Sequence, residues 1–397
     1  MRLLKTVICC SISLVMFACV SCGSKDKGVV LIDPDKALEA VLEDVASDIR
    51  IIPLKSDSPI PGINMFFFYD DYFFGTNVNR DMSNDLVFKN LSVFDSDGNC
   101  LGIIDRLGRG HDEYLALRNF LYFEDEHMLT LYNSDRMNST KYSYKLPSME
   151  YLGSKPSFFM VGLDQSVHMG DGRTLLQTFR GDETKRDLTM AIFRPDTVLM
   201  ANDYGEFVGN RISSTFYHHK FTNYKNPLLA FFGYNNEIYS IDDNDSLKLE
   251  LSFTFGNKGL PKSYTDDPNH PGPYIVSPMQ YMEDGSYILF YVPVKNGNLI
   301  SFIYSRPQYD NVEGFMNYYV TDGNRSANYS ELKIPGLKFE PTLAGVNGTS
   351  YVFQMTSTPD IDESVPMSRL GQQILDEFKA QNDDNPILLQ FRFKDLD

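Results

Sequence analysis

The sequence contains no tryptophan, and it has only five cysteines, six histidines and a shortage of basic side chains. Four of the cysteines fall within the first 22 residues, so Cys100 stands alone in the rest of the chain and no structural disulfide is expected. The 36 basic residues are outnumbered by 53 acidic ones, for a formal charge of −17. Because a chain this acidic repels polyphosphate, nucleic acid is not an expected partner.

Familiar catalytic and metal-binding motifs are also missing. The sequence has no His-Glu-x-x-His, no Gly-x-Ser-x-Gly and no phosphate loop ending in Gly-Lys-Ser/Thr. His218 and His219 are adjacent, so on a strand they would face opposite sides and could not hold one ion. The acidic run Asp242, Asp243 and Asp245 lacks the glycine and distal glutamate of a calcium loop, which favours a hairpin turn. We therefore predict no metal, no cofactor and no assigned catalytic residue.

The N-terminus has the pattern of a secretion signal. Arg2 and Lys5 precede an uncharged stretch at 6–20, which is shorter than the roughly 20 residues of a membrane span and typical of a signal peptide. The small residue before Cys22 resembles a bacterial lipobox and predicts cleavage there, with acylation of the Cys22 thiol; Cys19 is the alternative. The predicted organisation is a signal peptide at 1–21, a tether at 22–34 and a single domain at 35–397, with the membrane as a partner through the lipid anchor.

The rest of the chain has the pattern of antiparallel β-structure. The whole sequence is rich in tyrosine (24) and phenylalanine (29), and in this part of it short apolar runs alternate with Gly, Asn and Asp breaks. The segment 91–104 is an example, with alternating apolar residues on both sides of a turn from Asp95 to Gly98. No long amphipathic helix interrupts the series, which excludes a parallel sheet built from βαβ units.

The two ends of this region carry the only predicted helices. Leu38, Val41, Leu42 and Val45 have helical spacing, and Asp33 or Asp35 could cap a short N-terminal helix. A second helix is predicted at 369–381, before a strand at 387–393 that would complete the first sheet. A sandwich, a barrel and a propeller all fit strands at this spacing, and the length of the chain favours a propeller with about six blades.

The stretch 91–123, LSVFDSDGNCLGIIDRLGRGHDEYLALRNFLYF, resembles the signature of the six-bladed β-propeller lipoproteins of Bacteroidetes. A related TolB-like or NHL-like propeller group shares the glycine-containing loop of this signature. The matching positions are Phe94, Asp95, Gly98, Gly108, Arg109, Gly110, Glu113 and Tyr114. The sequences DVASDIRIIPLKS and DNPILLQFRFKD resemble the opening and closing segments of the same family. The resemblance implies an all-β fold of six four-stranded antiparallel blades, and it supplies no catalytic residues.

The loop in this signature is the candidate binding site. Its candidate ligand-binding residues are Arg106, Arg109, His111, Glu113 and Tyr114. Its predicted turn glycines are Gly98, Gly108 and Gly110. The glycines could expose backbone N–H groups to an anion, with the arginines adding charge. The sequence favours the structural interpretation, in which the glycines supply unusual backbone angles, Arg109 pairs with Glu113 and Tyr114 packs between blades.

These observations favour a lipid-anchored, outer-membrane propeller that binds a protein, peptide or glycan without catalysing a reaction. The alternative is a lyase or hydrolase that acts on polysaccharide at the mouth of the propeller channel. A third possibility is a structural subunit of an outer-membrane assembly. Whether the protein is an enzyme stays open at this point, because 53 acidic residues allow a catalytic pair that no spacing reveals.

Overall fold

The computed structural model describes residues 28–80, 86–110, 112–115, 117–135, 138–157, 166–169, 173–179, 186–194, 197–206, 228–231, 236–242, 244–259, 289–306, 315–340, 342–381 and 385–397. In these residues the protein consists mostly of β-strands, with few helices. None of the helices in this part of the chain is long and apolar enough to cross a bilayer.

The N-terminal segment contributes three strands and two short helical turns. They are β1 (Val30–Leu31), a 3-10 turn (Pro34–Lys36), β2 (Leu38–Val41), α1 (Leu42–Val45) and β3 (Ala46–Pro53). Each of the three strands joins a different sheet, formed with strands from much later in the chain.

Within the described residues, six sheets of four or five strands follow in chain order. Strands that follow one another along the chain within a sheet pair antiparallel. Sheet 1 contains β4 (Met65–Phe68), β5 (Tyr72–Thr76), β8 (Leu91–Asp95) and β9 (Cys100–Ile104), with a side hairpin of β6 (Val78–Arg80) and β7 (Leu86–Phe88). Sheet 2 contains β10 (Asn119–Phe123), β11 (Met128–Asp135), β12 (Asn138–Lys145) and β13 (Glu150–Ser157). Sheet 3 contains β14 (Ser166–His168), β15 (Arg173–Phe179), β16 (Arg186–Arg194) and β17 (Thr197–Glu206).

The last three sheets receive the N-terminal strands. Sheet 4 contains β18 (Leu229–Phe231), β19 (Asn236–Ile241) and β20 (Leu247–Thr254), with β1 at its edge and a 3-10 turn (Gly256–Lys258) beyond it. Sheet 5 contains β21 (Leu289–Asn296), β22 (Leu299–Arg306), β23 (Phe315–Thr321) and β24 (Ser326–Lys333), with β2 at its edge. Sheet 6 contains β25 (Thr342–Asn347), β26 (Ser350–Met355), β27 (Ile387–Phe393) and β3, and the helix α2 (Arg369–Ala380) precedes β27.

The predicted N-terminal helix is largely wrong. Only Leu42–Val45 is helical, and Leu38–Val41 forms the strand β2, which pairs in parallel with β24. The exposed edge of β24 offers backbone partners to this segment, whereas an isolated helix this short is marginal in water. Asp33 does cap a helical turn, because its side chain accepts a hydrogen bond from the backbone N–H of Asp35 at 3.2 Å.

The end of the predicted tether is also part of the folded protein. Val30–Leu31 pairs in parallel with β20, and Ile32 is only 2% exposed. The backbone N–H of Ile32 donates to the carbonyl of Thr254 at 2.9 Å. Residues 30–34 are therefore packed against sheet 4, while the rest of the predicted tether up to residue 27 lies outside the described residues together with the predicted signal peptide.

The predicted C-terminal elements are present. The helix α2 begins after Ser368, whose hydroxyl caps it by accepting a hydrogen bond from Gly371 N–H at 3.0 Å. The strand β27 lies between β26 and β3 and is antiparallel to both. Sheet 6 is therefore assembled from the two ends of the described chain. Residues 387–393 form the predicted strand, but this strand lies in the last sheet in chain order, where β3 pairs with it, and not in the first sheet.

Consecutive sheets are joined by shared contacts. Clusters of buried apolar side chains join sheets 1 and 2, sheets 2 and 3, sheets 4 and 5, sheets 5 and 6, and sheets 6 and 1. Between sheets 3 and 4, Arg173 at the start of β15 forms an ion pair with Asp245 in the turn before β20. Each sheet thus contacts the next one in chain order, and the last contacts the first.

A buried carboxylate strengthens the joint between sheets 4 and 5. The Glu250 side chain is 6% exposed and accepts hydrogen bonds from Ser240 Oγ at 2.7 Å, Lys248 Nζ at 3.1 Å and Lys295 Nζ at 3.0 Å. Burial raises the pKa of this carboxyl, but the three hydrogen bonds outweigh burial and hold the pKa at about 2. The carboxylate is therefore ionised at neutral and mildly acidic pH.

The substitution Glu250→Gln is expected to lower the free energy of unfolding by about 2 kcal/mol at neutral pH. Because the folded-state pKa lies below the ordinary value of 4.5, the parent protein keeps this stabilisation above pH 4.5 and loses it as the pH falls towards 2. Urea unfolding at a series of pH values measures the effect. Stability should fall less steeply in this window for Glu250→Gln than for the parent, whereas Glu331→Gln, at a side chain 52% exposed, should follow the parent. Parallel curves for the parent and Glu250→Gln would contradict the assignment.

Candidate functional site

The candidate site is the segment 105–118, which connects β9 of sheet 1 with β10 of sheet 2; we refer to it as the glycine loop. Its two halves are joined by a parallel bridge between Leu107 and Tyr114. The N–H of Gly108 donates to the carbonyl of Tyr114 at 3.0 Å, and the N–H of Tyr114 donates to the carbonyl of Arg106 at 3.0 Å. The loop is therefore held together by its own backbone.

Tyr114 fixes the glycine loop to sheet 1. Its side chain is 1% exposed, and its hydroxyl accepts a hydrogen bond from Arg106 N–H at 3.1 Å. The same hydroxyl lies 3.2 Å from the carbonyl oxygens of Lys89 and Ile104, to which it donates. Burial raises the pKa of Tyr114 to about 12, so the phenol is neutral at physiological pH. The residue predicted to pack between sheets does so, and it has no free hydroxyl for a ligand.

The three predicted turn glycines have two different roles. Gly98 has φ +86°, and a Cβ there would lie 2.5 Å from the carbonyl oxygen of Pro53, so only glycine fits this hairpin. Gly108 and Gly110 do not have positive φ angles, which corrects the prediction that they supply unusual backbone angles. A Cβ on Gly108 would lie 1.9 Å from Glu113 Oε2. These two glycines make room for the Glu113 carboxylate.

The predicted ion pair between Arg109 and Glu113 is not found among the described residues. Glu113 Oε2 instead accepts a hydrogen bond from Gly110 N–H at 2.6 Å. Backbone N–H groups are fixed in position, whereas the Arg109 side chain is exposed and would lose rotamer freedom in a surface ion pair worth little. His111, the remaining candidate ligand-binding residue, lies outside the described residues.

Arg106 and Asp112 connect the glycine loop to β13 of sheet 2. The guanidinium carbon of Arg106 lies 4.2 Å from the centre of the Tyr151 ring, within cation–π distance. Asp112 Oδ1 accepts hydrogen bonds from Tyr151 Oη at 3.0 Å and from Ser154 Oγ at 3.4 Å. The loop is thus anchored on both sheets that it connects.

Two further tyrosines on β12 complete this contact. Tyr142 Oη donates to the carbonyl of Glu113 at 3.0 Å. Tyr144 is 4% exposed, its ring centre lies 5.2 Å from that of Tyr151, and its hydroxyl has no hydrogen-bond partner in the described part of the chain. Burial raises the pKa of Tyr144 to about 12. Neither tyrosine was predicted as a site residue, although the alternation Tyr142-x-Tyr144 on a predicted strand indicates a shared face.

The anchored loop exposes apolar and basic side chains. Leu107 is 45% exposed and Leu115 is 57% exposed, and they flank the exposed Arg109. Because the backbone between them is held by Tyr114 and Glu113, these side chains are presented by a rigid support. This arrangement is suited to contact with another molecule, and the described residues of the loop include no group arranged for proton transfer or nucleophilic attack.

The acidic run before β20 forms the predicted turn. Asp242 Oδ1 accepts hydrogen bonds from the N–H groups of Asn244 and Ser246, both at 2.9 Å, and Asp245 has φ +56°. Asp243 and the predicted lipidation site Cys22 lie outside the described residues. Within the described ranges, no three His, Cys, Asp or Glu side chains come together as a possible metal site, and Cys100 is a free thiol.

Comparison with solved structures relates this fold to other proteins. A protein of Bacteroides fragilis named as exported is similar with a TM-score of 0.56 at 14% identity, covering 93% of this chain and 100% of its own. The β-propeller domain of the Trilobed protease of Pyrococcus furiosus has a TM-score of 0.33 at 8% identity over 77% and 84% of the two chains. TolB of Acinetobacter baumannii has a TM-score of 0.33 at 11% identity over 81% and 65%. The similarity to the Bacteroides fragilis protein concerns the fold alone, and the other two similarities support no conclusion about this chain.

Family comparison gives a match over almost the whole described region. No curated protein matches the sequence. The family described as domain of unknown function DUF4934 matches residues 29–392, a range that includes the glycine loop and all six sheets except the last residue of β27. The chain therefore belongs to the DUF4934 family.

Proposed function

We propose that the six sheets are the blades of a closed six-bladed β-propeller. Support comes from the contacts that link every sheet to the next in chain order, including the ion pair of Arg173 with Asp245 between sheets 3 and 4. Further support comes from sheet 6, in which β27 pairs with β3 and so joins the two ends of the described chain. Closure of this kind leaves no sheet without a neighbour on each face.

The proposed function is that of a non-enzymatic interaction module that binds a protein or peptide through the glycine loop. The observation that carries this proposal is the rigid presentation of Leu107, Arg109 and Leu115 on a loop anchored to two sheets. Arginine and apolar side chains on a preorganised support are typical of protein-binding surfaces, because little conformational freedom is lost on binding. The partner should carry apolar side chains and at least one acidic group to meet Arg109.

We place this module at the outer membrane. The support is the lipobox-like sequence ending at Cys22, with a signal-peptide pattern before it. An anchored interaction module needs no channel or catalytic centre.

Site-specific photo-crosslinking in the native host tests the binding proposal. A photoreactive amino acid at Leu115 should give one discrete adduct, whose partner is then identified by mass spectrometry and purified. The control carries the photoreactive amino acid at Ile361, which is 55% exposed on another part of the surface, and should not give that adduct. The substitution Leu115→Asp should weaken binding of the purified partner roughly tenfold or more, equivalent to about 1.4 kcal/mol.

Two results would contradict the proposal. Equal adducts at Leu115 and Ile361, or unchanged partner affinity in Leu115→Asp, would remove the glycine loop as the binding surface. Cleavage of an envelope or dietary polysaccharide by the purified protein would instead favour the lyase or hydrolase alternative.

A further inference from the structure

The N-terminal residues 28–41, which we call the strap, cover the edges of two neighbouring sheets. The strap begins at sheet 4, where β1 pairs in parallel with β20. It continues to sheet 5, where β2 pairs in parallel with β24. Both pairings protect edge strands that would otherwise expose unpaired backbone groups.

Side chains hold the strap in place between these two pairings. Lys258 forms ion pairs with Asp33, at 2.7 Å, and with Asp35. Asn328 Nδ2 donates to the carbonyl of Asp33 at 3.3 Å. At the far end, Lys333 pairs with Glu39 at 2.6 Å. The strap is therefore a fixed part of the surface, and lysines match its acidic side chains.

The outward side of the strap is unusually apolar. Val30 and Ile32 pack into the cluster between sheets 4 and 5, so the alternation of a strand turns their neighbours outward. The described residues contain eight exposed large hydrophobic side chains, and three of them lie within the strap. These are Val29, Leu31 and Leu38, which are 47%, 68% and 69% exposed.

The length of chain between the predicted anchor and the strap limits how far this surface can be from a membrane. Seven residue steps separate Cys22 from Val29, and at about 3.6 Å per step they span at most about 25 Å. An acyl chain inserted at Cys22 would therefore hold the outer edges of sheets 4 and 5 next to the bilayer surface. The other edges of the protein have no such constraint.

We propose that the strap is the membrane-facing surface of the protein, with Val29, Leu31 and Leu38 in contact with the lipid headgroup region. This proposal rests on the lipid anchor proposed above. Exposed apolar side chains beside a covalent lipid add a second membrane contact. In a ring of six sheets, the joint of sheets 4 and 5 lies opposite the joint of sheets 1 and 2. The glycine loop would then point away from the membrane.

Depth-dependent fluorescence quenching on the full acylated chain tests this orientation. In a Cys100→Ser background, single cysteines replace Leu31 or Leu38 in the strap, or Leu152, which is 51% exposed on β13 of sheet 2. Each cysteine carries the same environment-sensitive fluorophore, and the protein is reconstituted into phosphatidylcholine vesicles that contain a headgroup-proximal nitroxide lipid. The strap probes should be quenched roughly threefold more than the Leu152 probe, because only they would reach the interface.

The possible failures are distinguishable. Mass spectrometry first establishes whether Cys22 carries acyl chains. An unacylated Cys22 would overturn the anchor and the orientation together. An acylated protein in which the strap probes and the Leu152 probe are quenched equally would overturn the orientation alone and leave the anchor and the proposed binding function in place.

Discussion

The substitution Phe391→Ala is expected to lower the free energy of unfolding by about 3–5 kcal/mol. Phe391 lies on β27 and is fully buried. Its ring centre is 5.4 Å from that of Phe353 and 5.6 Å from that of Phe393. Loss of the ring leaves a cavity in the cluster that joins sheets 5 and 6. A domain is typically stable by only about 5–15 kcal/mol, so this one change removes a large share.

Urea unfolding followed by circular dichroism measures this loss. The control is Ile361→Ala, at a side chain 55% exposed, which should change stability by less than about 0.5 kcal/mol. Deletion of residues 387–397 should have a still larger effect, because it removes β27 and leaves β3 and β26 without a partner between them. A truncated chain that unfolds at the parent's urea midpoint would show that β27 does not close the fold.

The second large effect is expected at Tyr114. The substitution Tyr114→Ala should cost about 3–5 kcal/mol, because it removes a ring that is 1% exposed between sheets 1 and 2. Tyr114→Phe keeps the ring and removes the hydroxyl, which leaves the half-buried N–H of Arg106 without its partner, at a cost of about 1–3 kcal/mol. The difference between the two variants separates packing from hydrogen bonding.

Hydrogen exchange at the glycine loop provides the second measurement for Tyr114. Both variants should speed exchange of the Gly108 N–H, which donates to the Tyr114 carbonyl, and do so before global unfolding. Tyr142→Phe is the matched control, since it removes the hydrogen bond to the Glu113 carbonyl, leaves the Tyr114 hydroxyl in place and should be milder. If Tyr114→Phe is as stable as the parent, the hydroxyl does not organise the loop.

Local patterns predicted the closing elements of the fold well. The hairpin at Asp95 depends on a short-range signal, a carboxylate that accepts the N–H groups of Asp97 and Asn99 beside a glycine with positive φ. The helix α2 has its own serine cap and an apolar face, so its sequence specifies it without reference to distant residues. The strand β27 is predicted by its own apolar run, and its pairing with a strand from the N-terminal part of the chain was expected because it covers an exposed sheet edge.

The N-terminal segment shows where such reasoning fails. Leu38 and Val41 have helical spacing, but β24, almost 300 residues later, offers an edge to which the segment pairs instead. A contact at that separation leaves no trace in local periodicity. Local sequence also fails to explain the glycine loop. Gly108 must be glycine because the Glu113 carboxylate occupies the space that a Cβ would need, and Arg106 stacks on Tyr151 of the next sheet. The sequence named Arg106, Glu113 and Tyr114 as site residues but could not supply their partners.

The pairing of the first three strands also bears on how the polypeptide acquires its structure. Val30 pairs with Phe253, Leu38 with Tyr329 and Ala46 with Phe393. The first strands in the sequence therefore cannot pair until strands much later in the sequence have been made. A chain that is made amino end first cannot complete sheet 4 until residue 254 has been released, sheet 5 until residue 333, or sheet 6 until residue 393. Contacts so distant in sequence slow folding, and a nascent or truncated polypeptide would present unpaired strands to chaperones and proteases.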